Sequence, residues 1–139
     1  MPDPSLERYE EIEHTADWAL RVRGRDLSTL FVNAALGMME LAGVRMADDV
    51  GQKRRIEIQT IDRESLLVDW LHELLLALEL ERLAFREIAL EITNGRKLVG
   101  TVLTVPVVSM EKPVKAVTYN ELHIKESSNG LEATIVFDV

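Results

Sequence analysis

Phe85-Arg86-Glu87-Ile88-Ala89-Leu90-Glu91-Ile92-Thr93-Asn94-Gly95-Arg96-Lys97-Leu98-Val99-Gly100-Thr101-Val102-Leu103-Thr104-Val105 is the stretch that decides the fold. Ile88, Leu90 and Ile92 alternate with charged or small residues, as one face of a half-buried strand does. Asn94-Gly95 then separates this run from the one between Leu98 and Val105. Asn and Gly both accept the positive φ of a tight hairpin turn, so the stretch predicts two antiparallel strands. Pro106 lacks an N–H and is expected to end the second strand or place it at a sheet edge.

Upstream, Leu67, Trp70, Leu71, Leu74, Leu75 and Leu78 recur at helical spacing behind Asp62, a side chain suited to an N-cap. They predict a helix from about Arg63 to Glu81 whose apolar face is wide enough to be buried on more than one side or to meet a partner. Ile56, Ile58 and Thr60 read as the strand before it, and Ala47 to Gln52 as a loop. Another helix, capped by Asp26, carries Leu27, Leu30, Phe31, Ala34, Met38 and Leu41 and stops at Gly43. Trp18, Leu20 and Val22 form a strand ending at Gly24. Downstream of Pro106, a loop with Glu111, Lys112 and Pro113 leads to Val117, Thr118 and Tyr119. The parity slip from Tyr119 to Leu122 and Ile124 suggests a β-bulge at Asn120-Glu121. A second Asn-Gly turn, Asn129-Gly130, introduces the last strand, Leu131 to Asp138. The order predicts an α+β fold, a mostly antiparallel sheet packed with two principal helices in a single layered domain.

With 139 residues, 47% of them hydrophobic, the chain suits one compact domain over residues 1–139, with residues 1–7 as a flexible leader. The absence of cysteine excludes disulfides, thiolate metal sites and a cysteine nucleophile, and cytoplasm is the expected compartment. Met1 to Ser5 is acidic and poor in apolar residues, unlike a signal peptide. The most apolar stretch, Leu66 to Leu80, is interrupted by Asp69, His72, Glu73 and Glu79, so no membrane span is expected. Sixteen basic against 24 acidic residues leave a formal charge of −8, which argues against extensive direct nucleic-acid binding but suits docking on a basic protein.

The last strand ends in Ile135-Val136-Phe137-Asp138-Val139. Strand parity points Asp138 away from Phe137, so if Phe137 faces the helices the carboxylate emerges on the other side of the sheet. The α-carboxylate of Val139 stands beside it. Two adjacent anions favour a cation between them, and a third carboxylate, Asp17 in Glu13-His14-Thr15-Ala16-Asp17-Trp18, completes an oxygen-rich set if the fold brings it near. His72 and His123 match no metal spacing, whereas His14 lies near this candidate set, where its ring or its backbone carbonyl could line the site. An aromatic content of 5%, no glycine-rich phosphate loop and no activated nucleophile argue against a free-standing enzyme.

Five segments in order resemble the archease family over nearly the whole chain. They are Glu13-His14-Thr15-Ala16-Asp17, Leu30-Phe31-Val32-Asn33-Ala34-Ala35-Leu36-Gly37-Met38, Leu66-Leu67-Val68-Asp69-Trp70-Leu71-His72-Glu73-Leu74-Leu75, Lys115-Ala116-Val117-Thr118-Tyr119 and Val136-Phe137-Asp138-Val139. The resemblance implies an accessory protein of the GTP-dependent tRNA-splicing RNA ligase, promoting guanylylation of the ligase's histidine and multiple turnover, rather than a catalyst. It also implies a divalent-metal site, calcium first, with magnesium or manganese as alternatives, whose ligands map to Asp17, Asp138 and Val139. The chain departs from many relatives in Asn120, where a histidine is common, and in a short loop from Val107 to Lys115. A competing expectation is a general chaperone or interaction module that uses the wide apolar face of the Leu66 to Leu80 helix. A third is a small metal-dependent hydrolase. Composition leaves the oligomeric state open.

Overall fold

The computed structural model describes residues 8–12 and 18–139. Among the described residues, nine strands and two helices follow one another as β1 (Tyr9–Ile12), β2 (Trp18–Gly24), α1 (Leu27–Leu41), β3 (Arg45–Met46), β4 (Gln52–Gln59), α2 (Arg63–Leu76), β5 (Leu83–Thr93), β6 (Lys97–Ser109), β7 (Ala116–Thr118), β8 (Lys125–Ser127) and β9 (Gly130–Asp138). A π-helical turn, Ala77–Glu81, extends α2, so the helical segment ends where the periodicity placed it. The fold is α+β and antiparallel among the described residues, but the strands divide between two sheets instead of one. The first has the order β1-β2-β9-β7, with β8 also on β9, and the second joins β3, β4 and β5 to β6.

Both helices contact both sheets: α1 meets β2 and β5, and α2 meets β7 and β4. That placement explains the wide apolar face of α2. Leu66, Leu67, Trp70, Leu71 and Leu74 are fully buried on several sides of the helix, leaving Leu76 and Leu80 as its exposed large apolar side chains. Trp70 also donates its Nε1–H to the carbonyl of Phe31 at 2.9 Å and packs against Phe85, tying α2 to α1 and to β5. Its indole is satisfied as well as buried.

Local chemistry sets the element ends. Asp26 accepts a hydrogen bond from the N–H of Thr29 at 2.8 Å, and Asp62 one from Ser65 at 2.7 Å, as N-caps do. These bonds hold both carboxyls below the usual aspartate range. Asn94 and Gly95 adopt φ of 54° and 68°, and the N–H of Arg96 returns to Thr93 at 3.1 Å, which closes the β5–β6 hairpin in the handedness that strands prefer. At the other end of β2, a Cβ on Gly24 would lie 2.3 Å from the backbone nitrogen of Leu30. Only glycine permits β2 to turn so tightly into α1.

Three local expectations change. Pro106 neither ends β6 nor lies at an edge: β6 continues to Ser109 between β5 and the β3/β4 side. Its pairing with β4 stops at Thr104 and that with β3 begins at Val107, so the missing N–H falls in the gap between those two strands. Asn120-Glu121 is a turn rather than a bulge. The N–H of Leu122 bonds the carbonyl of Tyr119 at 3.0 Å, Glu121 takes φ of 59°, and β7 has already ended. The loop beyond it is pinned to the start of α2, where Arg63 donates to the carbonyl of Ile124 and Glu64 accepts from its N–H at 2.9 Å. The last hairpin turns at Ser128-Asn129, one residue earlier than expected, because Gly130 already pairs with Ser127. β1, which no sequence pattern announced, adds to these elements and places Tyr9 opposite Val22.

Two stability measurements check this reading. Asp26→Ala should lower stability by about 1 kcal/mol, which thermal melting reads as a fall of roughly 4 °C. Asp26→Asn keeps the acceptor and should match wild type near neutrality. A depressed folded-state pKa stabilises above the unfolded value of about 3.9, and this contribution disappears as pH falls through the folded value. The difference between wild type and Asp26→Asn should therefore change across that acidic window and stay flat above it. Gly24→Ala should cost about 1–3 kcal/mol through backbone displacement, and an unchanged denaturation midpoint would contradict the close approach of β2 to α1.

Candidate metal centre at the end of the last strand

The carboxylate end of β9 is built by two neighbours. On one side β2 runs antiparallel, with Trp18 opposite Phe137 and Ala19 opposite Val136. On the other, β7 places Ala116 opposite Asp138, Val117 opposite Phe137 and Thr118 opposite Val136. Phe137 is fully buried, while Asp138 and Val139 are exposed. The strand alternation thus anchors one residue in the core and projects the next from the opposite face. The N–H of Lys115 donates to the main-chain carbonyl of Asp138 at 2.8 Å, which extends the pairing to the last strand residue.

Among the described residues, the Asp138 carboxylate accepts no hydrogen bond and forms no ion pair, and none of those residues form a cluster of three or more metal-binding side chains. Asp17 and His14 lie outside the described residues. Trp18, the chain neighbour of Asp17, stands opposite Phe137, the chain neighbour of Asp138. The donor chemistry suits a hard divalent cation: the Asp138 carboxylate and the main-chain oxygen of Val139 offer oxygen atoms, both residues exposed and Asp138 held by backbone pairing. His123 is exposed, with Nδ1 4.0 Å from Glu64, and belongs to the loop at the start of α2.

The structure adds a basic residue that the sequence pattern did not single out. Lys112 sends its Nζ over the Trp18 ring, 4.7 Å from the centroid, and its N–H bonds the carbonyl of Ala42 at 3.0 Å. No local periodicity could announce this contact, since it joins a loop to a strand far away in the chain. Lys112 also borders a cleft of about 350 Å³ whose lining includes Glu10, Glu11, Glu40 and Glu111. Burial and the neighbouring Glu40 push the Tyr9 hydroxyl upward in this cleft. Arg21 and Arg23 both reach Glu10, at 2.7 and 3.3 Å, so that carboxylate is partly compensated. Glu111 packs against Gly43 at the end of α1. Among the described residues that line the cleft, carboxylates therefore outnumber cations.

Comparison with known proteins places this architecture. Residues 9–139 match the Archease protein family (MTH1598/TM1083). Protein archease of Methanosarcina barkeri is 34% identical over 140 residues, covering 95% of this chain and 96% of the relative. Protein archease of Methanothermobacter thermautotrophicus is 31% identical, covering 96% and 100%. The solution structure of Methanobacterium thermoautotrophicum protein 1598 shares a TM-score of 0.71 at 30% identity, covering 96% of this chain and 99% of that one. A crystal structure described as an archease, possible chaperone, from Thermotoga maritima has a TM-score of 0.70 at 23% identity, covering 94% and 96%, and shows the same fold. From the family match and these relatives, the chain belongs to the archease family.

Proposed function

We propose that this chain is a metal-binding accessory protein that activates a GTP-dependent tRNA-splicing and RNA-repair ligase, promoting guanylylation of the ligase's histidine and multiple turnover. Family membership supports an accessory or chaperone-like role. The observation that carries the finer reading is the exposed Asp138 carboxylate, held one residue beyond a buried Phe137 by pairing on both sides of β9. Asp17, Asp138 and the carboxylate of Val139 would hold the ion, with calcium first and magnesium or manganese as alternatives.

The chain's own residues have distinct tasks in this reading. Phe137 and its partners Trp18 and Val117 fix the strand end, so that Asp138 is presented without rearrangement on docking. A bound divalent ion would supply positive charge for a reaction centred on phosphates. The acidic surface, net charge −8, would steer this end toward a basic RNA-binding cleft and orient it there. The client-binding surface expected for a general chaperone is largely used up by the fold, since the apolar face of α2 is enclosed between the sheets.

Guanylylation of the ligase with and without this protein tests the proposal. Asp138→Ala and Asp17→Ala should keep the wild-type far-ultraviolet CD and a cooperative melt while reducing stimulation at least tenfold. Undiminished stimulation by both variants would reject the metal-site mechanism. Electrostatic docking adds a second expectation. Raising monovalent salt from low to several hundred millimolar should weaken stimulation more steeply than it changes the ligase's basal rate. A parallel response of the two rates would argue against charge-steered docking.

A further inference from the structure

We propose that Thr118 is a positioning residue for this metal site, a reading that rests on the proposed function. β7 is only three residues long, yet it is the strand that lies opposite Asp138. Its last residue carries a side-chain tie across the ladder: the Thr118 hydroxyl donates to the carbonyl of Val136 at 3.0 Å. The same oxygen accepts from the N–H of Asn120 at 3.3 Å. One hydroxyl therefore joins three things: the end of β7, the turn that leaves it, and the β9 residue two before Asp138.

Parity gives this tie its relevance. Thr118 pairs with Val136 and Ala116 with Asp138, so all four residues belong to one face of the first sheet. Phe137 and Val117 take the other face and are buried there. A three-residue strand has few ladder bonds to resist fraying, and edge pairings slip where little specifies their register. The Thr118 bond fastens the end of β7 that lies away from Asp138, while the Lys115 N–H fastens the near end at 2.8 Å. With both ends held, Ala116 stays opposite Asp138 and the carboxylate keeps one orientation. Without the hydroxyl, the turn at Asn120-Glu121, with Glu121 in the left-handed region at φ 59°, loses an anchor and strand and turn can loosen together.

Calcium titration by isothermal calorimetry, with Asp138→Ala and thermal melts alongside, tests the inference. Thr118→Val is close in shape but cannot donate. It should weaken calcium binding about five- to tenfold with a melting temperature near wild type, and Thr118→Ser should restore the affinity. Should Thr118→Val fold poorly, Thr118→Ala compared with Thr118→Ser carries the same contrast. Wild-type affinity in the Val and Ala variants, alongside its loss in Asp138→Ala, would overturn the role of Thr118 and leave the metal site standing. No calcium, magnesium or manganese binding by the wild-type protein, or undiminished binding by Asp138→Ala, would overturn the metal site and this inference with it.

Discussion

The burial of Phe137 between Trp18 and Val117 is the contact on which the rest of the functional end depends. A strand alternates its side chains, so a phenyl ring committed to the core obliges the next residue to face away from it. Burying a phenylalanine contributes roughly 2–3 kcal/mol, and a one-residue slip of β9 would surrender that burial and turn Asp138 inward, unpaired, at a further cost. Register and carboxylate presentation are thus enforced by the same packing. β2 and β7 hold the strand from both sides, which fixes the backbone that carries Asp138.

The helices transmit this order through the molecule. α1 packs on β2 and α2 on β7, the two strands that flank β9, and each also reaches the second sheet. The Trp70 indole bonded to Phe31 links the helices at the centre of this arrangement. A core that includes Leu20, Ile135 and Phe137 of one sheet with Phe85 and Leu98 of the other is a single packed cluster. Disturbance in the second sheet therefore reaches β9 through side chains that are already in contact.

Much of this was readable in the residues, and the exceptions have physical causes. Caps at Asp26 and Asp62, the Asn94-Gly95 turn and the parity of Phe137 and Asp138 are local, and local chemistry decides them. The division into two sheets is not local. It depends on which strands pair across long separations, and β9 joining β2 is a choice that no short pattern encodes. Tyr9–Ile12 lacks alternation, so β1 exists because β2 offers an edge. Pro106 misled for a similar reason, because its missing N–H is harmless only where β4 stops before β3 begins. At the candidate site, Asp138 was legible from parity, whereas the Lys112 contact with Trp18 and the Thr118 tie to Val136 arise from tertiary placement.

The proposed divalent cation would be held by Asp17, Asp138 and the carboxylate of Val139 at the end of β9. The most direct test is a calcium titration of the protein beside a version extended by one residue at its C-terminus, which converts the Val139 carboxylate to a neutral amide. The expected result is saturable binding near one ion per chain by the native protein and clearly weaker binding by the extended one, with superimposable CD spectra. Equal affinity for the two proteins would contradict the role assigned to the terminal carboxylate.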